Sequence, residues 1–570
     1  MRKILTLALA ACFLLPTVSL AADAALEKKV QELWEEIDYL NDRLDKAEMH
    51  AATDRITFTG DFRNTVDSLH YKNVTFNPGI LVDFDDFGQK AMSGAFGGFN
   101  NQGMPEEGTP LANMLAANPD LAQAFGMGML QGVGGYPFAA GPETGDIDND
   151  VLFTSRLRLG MKAKVWDNVS FIGRLSMYKN WGDSTGSKVF DSWDSFTMDG
   201  TNGGNTTGDW LRVERAFFNW KDIGGSGFWF SVGRRPSTYG PPTQYRENEM
   251  RGGSPGGHLV HFNFDGITIG YNLENLTGIE GQTLRFCYGQ GFESEWGNGE
   301  LFNEINTDDT HLGGFLLDAV EDGTNLLQLL LFTAQDVTDG FKGVMAFPTQ
   351  YAKFFAPTMY QDMQNFPTFN FVTRVQPSTN IGDIHLGGAT FAREEDNGIN
   401  WFLSGAWTQA RPNGNAGMFG GLLSDPVFEA ELNEEGTAIV MKPAHTVSDD
   451  NENGYSFYAG IQVPAPMGKL GLEYNYGSQY WTPFTQAADD AIGSKIATRG
   501  HVGEAYYIVD VNPNMFIKLG GLYYDYEYTN SGSPVGTPHK VDDVIDGKEF
   551  SMLPVIDTAW DAYASITVKF

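Results

Sequence analysis

The sequence predicts a transmembrane antiparallel β-barrel, and three observations point to it. From Arg55 to Phe570 the chain favours apolar and polar residues in alternation, the spacing that sends successive side chains to opposite faces of a strand. Brief turns alternate with long connections through the same region, the pattern of a barrel with one smooth rim and one elaborate rim. After residue 21 no apolar run reaches the 18 or so residues that a helix needs to cross a bilayer. The 570 residues would form several domains if soluble, yet no linker or compositional break divides the strand-rich region. Aromatics at 13% and 68 glycines, beside 19% charged residues, describe a chain that is polar on average but rich in strand-forming rings.

Taken in order, the opening MRKILTLALAACFLLPTVSLAADA has Arg2 and Lys3, an apolar stretch over residues 4–15 and a small-residue exit at Ser19-Leu20-Ala21. This is the layout of a secretory signal peptide, assigned to 1–21. Leu9-Ala10-Ala11-Cys12 also resembles a lipobox, but cleavage there would leave Phe13-Leu14-Leu15 outside. The formal charge is -34 and deepens by two when Arg2 and Lys3 leave, which excludes nucleic acid as a natural partner. Cys287 is then the one remaining cysteine, so no intrachain disulfide forms. No Cys-x-x-Cys-His haem motif occurs, and no catalytic signature surrounds Cys287.

Leu26, Val30, Leu33, Ile37, Leu40, Leu44 and Ala47 follow at alternate spacings of four and three, a heptad seam with Val30, Ile37 and Leu44 at position a. Residues 24–49 are expected to form a short periplasmic coiled coil. Three heptads are marginal alone, so association needs the rest of the chain. Arg43 to Glu48 resembles the pattern of trimeric coiled coils, while Ile at a with Leu at d also permits a dimer, and the helix packing on its own barrel is the remaining alternative.

From residue 55 to 570 the chain reads as hairpins. In RLRLGMKAKVWDNVSFIGRLSMYK the residues Leu157, Leu159, Met161, Ala163 and Val165 alternate with Arg156, Arg158, Gly160, Lys162 and Lys164, and Asp167-Asn168 turns the chain. Further turns are expected at Gly224 to Gly227, Asp265-Gly266, Glu321 to Gly323, Glu395 to Gly398, Pro464 to Gly468 and Asn512 to Asn514. Long connections are expected at 72–148, 183–209, 238–257, 275–310, 338–382, 411–454, 481–499 and 530–555. Seven turns join fourteen strands, and RITFTGDFRNTV and DAYASITVKF complete sixteen. The stretch QTLRFCYGQGF is read as part of a loop; if it has a partner near 291–307 the count is eighteen. Both ends of the barrel then lie in the periplasm. Phe570, an aromatic ending an alternating strand, is expected to be the signal by which the barrel assembly machinery recognises the chain.

The opening ITFTGDFR, the hairpin RLRLGMKAKVWDNVSFIGRLSMYKNW, the stretch VGRRPSTYGPP, the later LGLEYNYGSQYW and the terminal Phe together resemble a porin family of anaerobic Gram-negative bacteria. The resemblance spans most of the mature chain and rests on architecture rather than chemistry. It implies a channel in the outer membrane, surrounded by its lipids, without naming a solute; sixteen-stranded general porins imply a homotrimer.

Sixteen strands leave an aqueous lumen. Arg156, Arg158, Lys162, Lys164 and Arg174 are expected on one wall as a cationic ladder, with Arg212, Arg215, Arg234 and Arg235 as further candidates, and with ordinary solvated lumen charges balanced by acidic loops as the equal alternative. The third long connection carries Arg246, Glu247, Glu249 and Arg251, which by position resembles the loop that narrows general porins, with a surface loop as the alternative. Loop charges beyond a Debye length of about 8 Å are screened, so the near wall outweighs the distant acidic total. A weak anion preference follows. Acidic clusters at Asp83 to Asp86, Asp146 to Asp150 and Asp449 to Glu452 have the oxygens for loop Ca²⁺ but lack the EF-hand glycine and glutamate; no other cofactor is expected. His258 and His261, read as three apart on a strand, face opposite ways and make no metal pair. A barrel enzyme is not expected, since no Ser/His or paired-acid signature stands at an interpretable spacing. The alternative to a diffusion channel for small hydrophilic solutes and ions is a scaffold sheathing a multihaem cytochrome in an electron conduit.

Overall fold

The computed structural model describes residues 56–570 except 77–79, 118–121, 123–135, 139–141, 183–210, 295–306, 340, 347–370, 376–378, 418–419, 445–446, 487 and 552. Before them it describes Lys29, Leu33, Glu36, Ile37, Tyr39 and Leu40, all helical, with Leu33 and Leu40 exposed. The signal peptide of 1–21 and the heptad residues Leu26, Val30, Leu44 and Ala47 lie outside the described residues.

Sixteen strands close into one antiparallel barrel: β1 (Ile56–Phe76), β2 (Glu143–Lys164), β3 (Val169–Asn180), β4 (Arg212–Trp220), β5 (Phe228–Arg234), β6 (Asp265–Asn272), β7 (Thr283–Phe292), β8 (Thr310–Glu321), β9 (Asn325–Thr338), β10 (Asn380–Glu394), β11 (Asn400–Pro412), β12 (Glu452–Ala465), β13 (Gly468–Gly477), β14 (Gly500–Asn512), β15 (Met515–Tyr526) and β16 (Thr558–Lys569). Each pairs with its neighbours in sequence, and β16 returns to β1 from Asp61 opposite Lys569 to Lys72 opposite Thr558. Gly60 and Phe570 exchange both backbone hydrogen bonds, at 2.6 and 2.9 Å. Closure leaves no open edge, which is the condition for strands to stand in lipid.

The alternation turns the apolar residues outward. Along β9, Leu331 is 59% exposed while Gln328 is wholly buried on the lumen side. Phe286 of β7, Phe315 of β8, Leu403 of β11, Phe457 of β12, Leu472 of β13 and Leu519 of β15 continue the exposed belt around the barrel. Apolar outside with polar groups inside is the inverse of a soluble barrel and the arrangement of a transmembrane one.

The strand count matches the sequence reading, but two strands are exchanged. Residues 258–264, expected to pair across an Asp265-Gly266 turn, form no barrel strand. They lie inside the lumen with Leu259, His261 and Asn263 as buried as Val260, Phe262 and Phe264. Alternation there reflects two buried faces rather than one wet and one oily. The partner of β6 is QTLRFCYGQGF, which is β7 and not a loop, in register from Asp265 opposite Gln290 to Asn272 opposite Thr283. The connection 273–282 is therefore a rim turn, built on a short helix, Glu274–Thr277, that ends at Gly278 with a positive φ of 72°. The expected long connection 275–310 shrinks to 293–309, and the third long one grows to 235–264.

At the elaborate rim the segments 80–82, 136–138, 427–432 and 439–443 make a four-stranded sheet. Val82, Phe87, Phe96, Leu111, Phe428 and Phe550 form a core with it. Asp83 caps the helix Phe84–Met92, accepting from the Asp86 amide at 3.0 Å. Asp86 pairs with Lys90 at 2.7 Å, Asp146 with Lys72 at 3.0 Å and Asp148 with His70 at 2.6 Å. These acidic clusters thus spend oxygens on a helix cap and ion pairs, and among the described residues no three His, Cys, Asp or Glu side chains are grouped to hold a metal.

Candidate functional site: a lumen constriction made by two loops

Residues 235–264 leave β5, cross the bore and return to β6. In a ring of sixteen, β5 and β6 stand opposite β13 and β14. The loop reaches that far wall: Arg246 lies 3.0 Å from Glu504 of β14, and Gln462 of β12 donates to the Tyr245 carbonyl at 3.1 Å. Lys569 of β16 donates to the Asn248 carbonyl at 2.8 Å. His258 sits between Ser404 of β11 and Ser456 of β12, 2.8 Å from each, and burial pushes its imidazole down to about 3, so it is neutral at physiological pH. It is not on a strand.

The local sequence allows this path. A Cβ on Gly253 would stand 2.3 Å from the Thr238 carbonyl oxygen, and one on Gly240 1.8 Å from that of Pro255, so the loop folds against itself only with glycine there. Arg215 ties its root, donating to the Gly252 carbonyl at 2.6 Å and the Thr238 carbonyl at 3.1 Å. Arg235 likewise donates to Ser231.

A second loop, 478–499, enters from the facing wall between β13 and β14. Its Phe484 meets the first loop in an isolated parallel bridge opposite Val260, accepting from the His261 amide at 2.6 Å and donating to the Leu259 carbonyl at 3.0 Å. Phe262 and Phe484 stack with ring centres 5.6 Å apart. Leu316, Leu330, Phe332 and Leu386 from the lumen faces of β8 to β10 complete this buried cluster. One side of the bore is therefore filled with apolar packing.

The other side is ionic. Arg156 of β2, 2% exposed, stands 3.3 Å from Asp61 of β1, 3.4 Å from Glu247, 3.4 Å from Glu249 and 3.1 Å from Asp489. Arg158 pairs with Asp61 at 2.7 Å and also with Glu249. Arg63 pairs with Glu247 at 3.4 Å and Asp489 at 2.5 Å. Burial alone would raise the Asp489 carboxyl, but the guanidinium groups of Arg63, Arg156 and Arg246 outweigh it and hold the group far below the usual carboxylate range. Arg246 pairs with Asp490 at 2.6 Å, and Arg251 with Asp318 at 3.2 Å and Glu321 at 3.0 Å. Lys495 bridges Glu473 and Glu504.

Of the expected ladder, Arg156 and Arg158 face the lumen but are buried in ion pairs, and Arg174 is bidentate to Glu214. Arg158 and Arg174 lie 5.2 and 5.3 Å from the Tyr239 ring centre. Lys162 and Lys164 are exposed. Of the third-loop residues, Glu247 and Glu249 meet Arg156, Arg246 pairs with Asp490 and Glu504, and Arg251 pairs with Asp318 and Glu321 of β8. The sequence reading missed Asp61, Arg63, Asp489, Asp490 and Glu504. The signal for the second loop was present in Trp481 and Phe484, large apolar residues in a connection assigned to water; Trp481 is wholly buried, its indole donating to the Ile496 carbonyl at 2.8 Å.

Two cavities flank the residues 246–249. One, of about 70 Å³, is lined by Arg63, Asp67, Arg246, Lys518, Asp561 and Tyr563 among others. The other, of about 480 Å³, is lined by Asn248, Glu249, Arg251, Glu321, Lys469 and Lys569 and lies toward the short-turn rim.

The chain is similar to three solved outer-membrane structures. Salmonella typhi OmpF in complex with daunomycin shares 10% identity over 90% of this chain and 97% of that one, with a TM-score of 0.36. Pseudomonas putida OprB shares 11% over 91% and 96%, with a TM-score of 0.37. The trimer form of OmpT from Vibrio cholerae shares 10% over 90% and 99%, with a TM-score of 0.36. No curated protein matches the chain. Residues 146–570 match the family model described as Protein of unknown function (DUF3373), and the chain belongs to that family.

Proposed function

We propose that the chain is an outer-membrane porin, a channel for passive diffusion of small hydrophilic solutes. The observation that carries this reading is a closed barrel, apolar outside, whose bore holds polar cavities of about 70 and 480 Å³ on either side of a charged loop segment. In this reading residues 1–21 are removed on export, 24–49 pair chains in the periplasm, Phe570 is read by the assembly machinery, and the oligomer is a homotrimer. The channel does no chemistry on its solutes. The sheath reading is disfavoured because the protein's own loops occupy the bore that a cytochrome would need. The ladder expected to favour anions lends little support to that preference, since Arg156, Arg158 and Arg174 are matched by Asp61, Glu247, Glu249, Asp489 and Glu214. Swelling of proteoliposomes tests the proposal: small neutral sugars should enter at rates that fall with solute size, and a folded barrel that admits none would overturn it.

A further inference from the structure

The ionic side of the constriction is incomplete in one place. Asp67 of β1 and Asp561 of β16 are 6% and 4% exposed and line the smaller cavity, of about 70 Å³. Asp67 stands opposite Tyr563, and Asp561 opposite Leu69, so the two carboxylates are diagonal neighbours on the same lumen face. The Asp561 Oδ1 has no hydrogen-bond partner and is fully buried. Among the described residues no cation lies within ion-pair distance of either carboxylate, whereas the cations lining the same cavity are engaged: Arg63 with Glu247 and Asp489, Arg156 with Asp489, Arg246 with Asp490, Lys518 with Glu504 at 3.3 Å. Adjacent buried carboxylates repel, and a cation held between them removes that cost.

We propose that Asp67 and Asp561 form a cation subsite in the bore, and that its occupant is the ammonium head of a small organic solute. The proposal rests on the channel reading for its substrate class, but the subsite stands on geometry alone. Two carboxylates provide fewer oxygens than the six to eight that Ca²⁺ takes, and no three-ligand metal group is present among the described residues. An alkylammonium presents three N–H donors to carboxylate and hydroxyl oxygens, and Thr65, Tyr563 and Ser565 supply hydroxyls on the cavity wall. The subsite would select cations at the constriction, the opposite of what the ladder alone implied.

The test uses the purified full chain, with ethylammonium chloride as probe, and the double variant Asp67→Asn/Asp561→Asn. Calorimetry in detergent should show ethylammonium binding that weakens about tenfold or more in the variant. In a planar bilayer with a salt gradient, the reversal potential should lie toward the cation and move toward zero in the variant. The control Glu434→Gln/Glu435→Gln, two exposed loop charges, should change neither. The single variant Asp561→Asn gives the same readout should the double variant misfold, judged by heat-modifiable gel mobility. Equal binding in wild type and a folded variant would overturn the subsite, as would potassium competing as well as ethylammonium, which would assign the pair to alkali ions. Binding without conductance would defeat the channel reading and keep the subsite; conductance without binding would do the reverse.

Discussion

Asp489 and Arg156 stand 3.1 Å apart although 333 residues separate them, one in the loop after β13 and the other on β2. The contact fastens the second loop to the wall nearest the chain's closure. Both side chains are buried, at 6% and 2% of their surface, and removing one partner of a buried pair leaves an uncompensated charge. Asp489→Asn is expected to destabilise the barrel by about 3–5 kcal/mol, seen as a lower guanidinium midpoint in mild detergent. A midpoint equal to wild type would show that the loop is not fastened there.

His539 joins two loops of the elaborate rim, 2.6 Å from Asp425 and 3.3 Å from Glu549. Burial alone would lower its imidazole, but the hydrogen bond and charge of Asp425, with Glu549 and Asp543, raise it above the ordinary value. The protonated ring is the one favoured by the fold. Its contribution is complete below the ordinary histidine value of about 6.5 and is lost as pH rises through the raised value. Protection factors over residues 527–557, normalised to the intrinsic exchange rate at each pH, should therefore be higher at pH 5.5 than at pH 8.5, and His539→Gln should remove the difference.

Leu276 distinguishes the revised topology from the one the sequence suggested. It is 70% exposed, in a turn placed on the short-turn rim by the pairing of β6 with β7. In a Cys287→Ala background, a cysteine replacing Met104 should react with an impermeant maleimide on intact cells, and one replacing Leu276 should not. Labelling at 276 would place that turn outside.

Deleting residues 24–49 should weaken a trimer without abolishing barrel folding, because the heptad seam is too short to associate alone. Native mass in mild detergent checks this. A single-protomer mass for the intact chain would contradict the trimer.

Much of the barrel was legible because lipid enforces a period-two pattern on every strand it touches, as in Leu157 to Val165 and at the Phe570 terminus. Residues 258–264 defeated that rule: inside the bore both faces of a segment can be buried, so their alternation carried no information about the wall. QTLRFCYGQGF was set aside for a related reason. Its turn uses a helical bend closed by Gly278 rather than an Asp-Gly or Asn-Pro signal. At the site, the ladder and the third loop were visible as charge on known elements, but their pairing was not, because Asp489 and Asp490 arrive from a loop 230 or more residues away in sequence. Charges read along one strand give a wall's composition; the net field depends on what other loops bring to it.

In the proposed channel, loops 235–264 and 478–499 narrow a water-filled bore without sealing it. Single-channel recording in a planar bilayer addresses it most directly. Purified wild type should give discrete ohmic conductance steps, and Asp489→Asn, which frees the second loop from Arg63 and Arg156, should give larger or noisier steps. A correctly folded barrel that passes no current in either form would contradict the account.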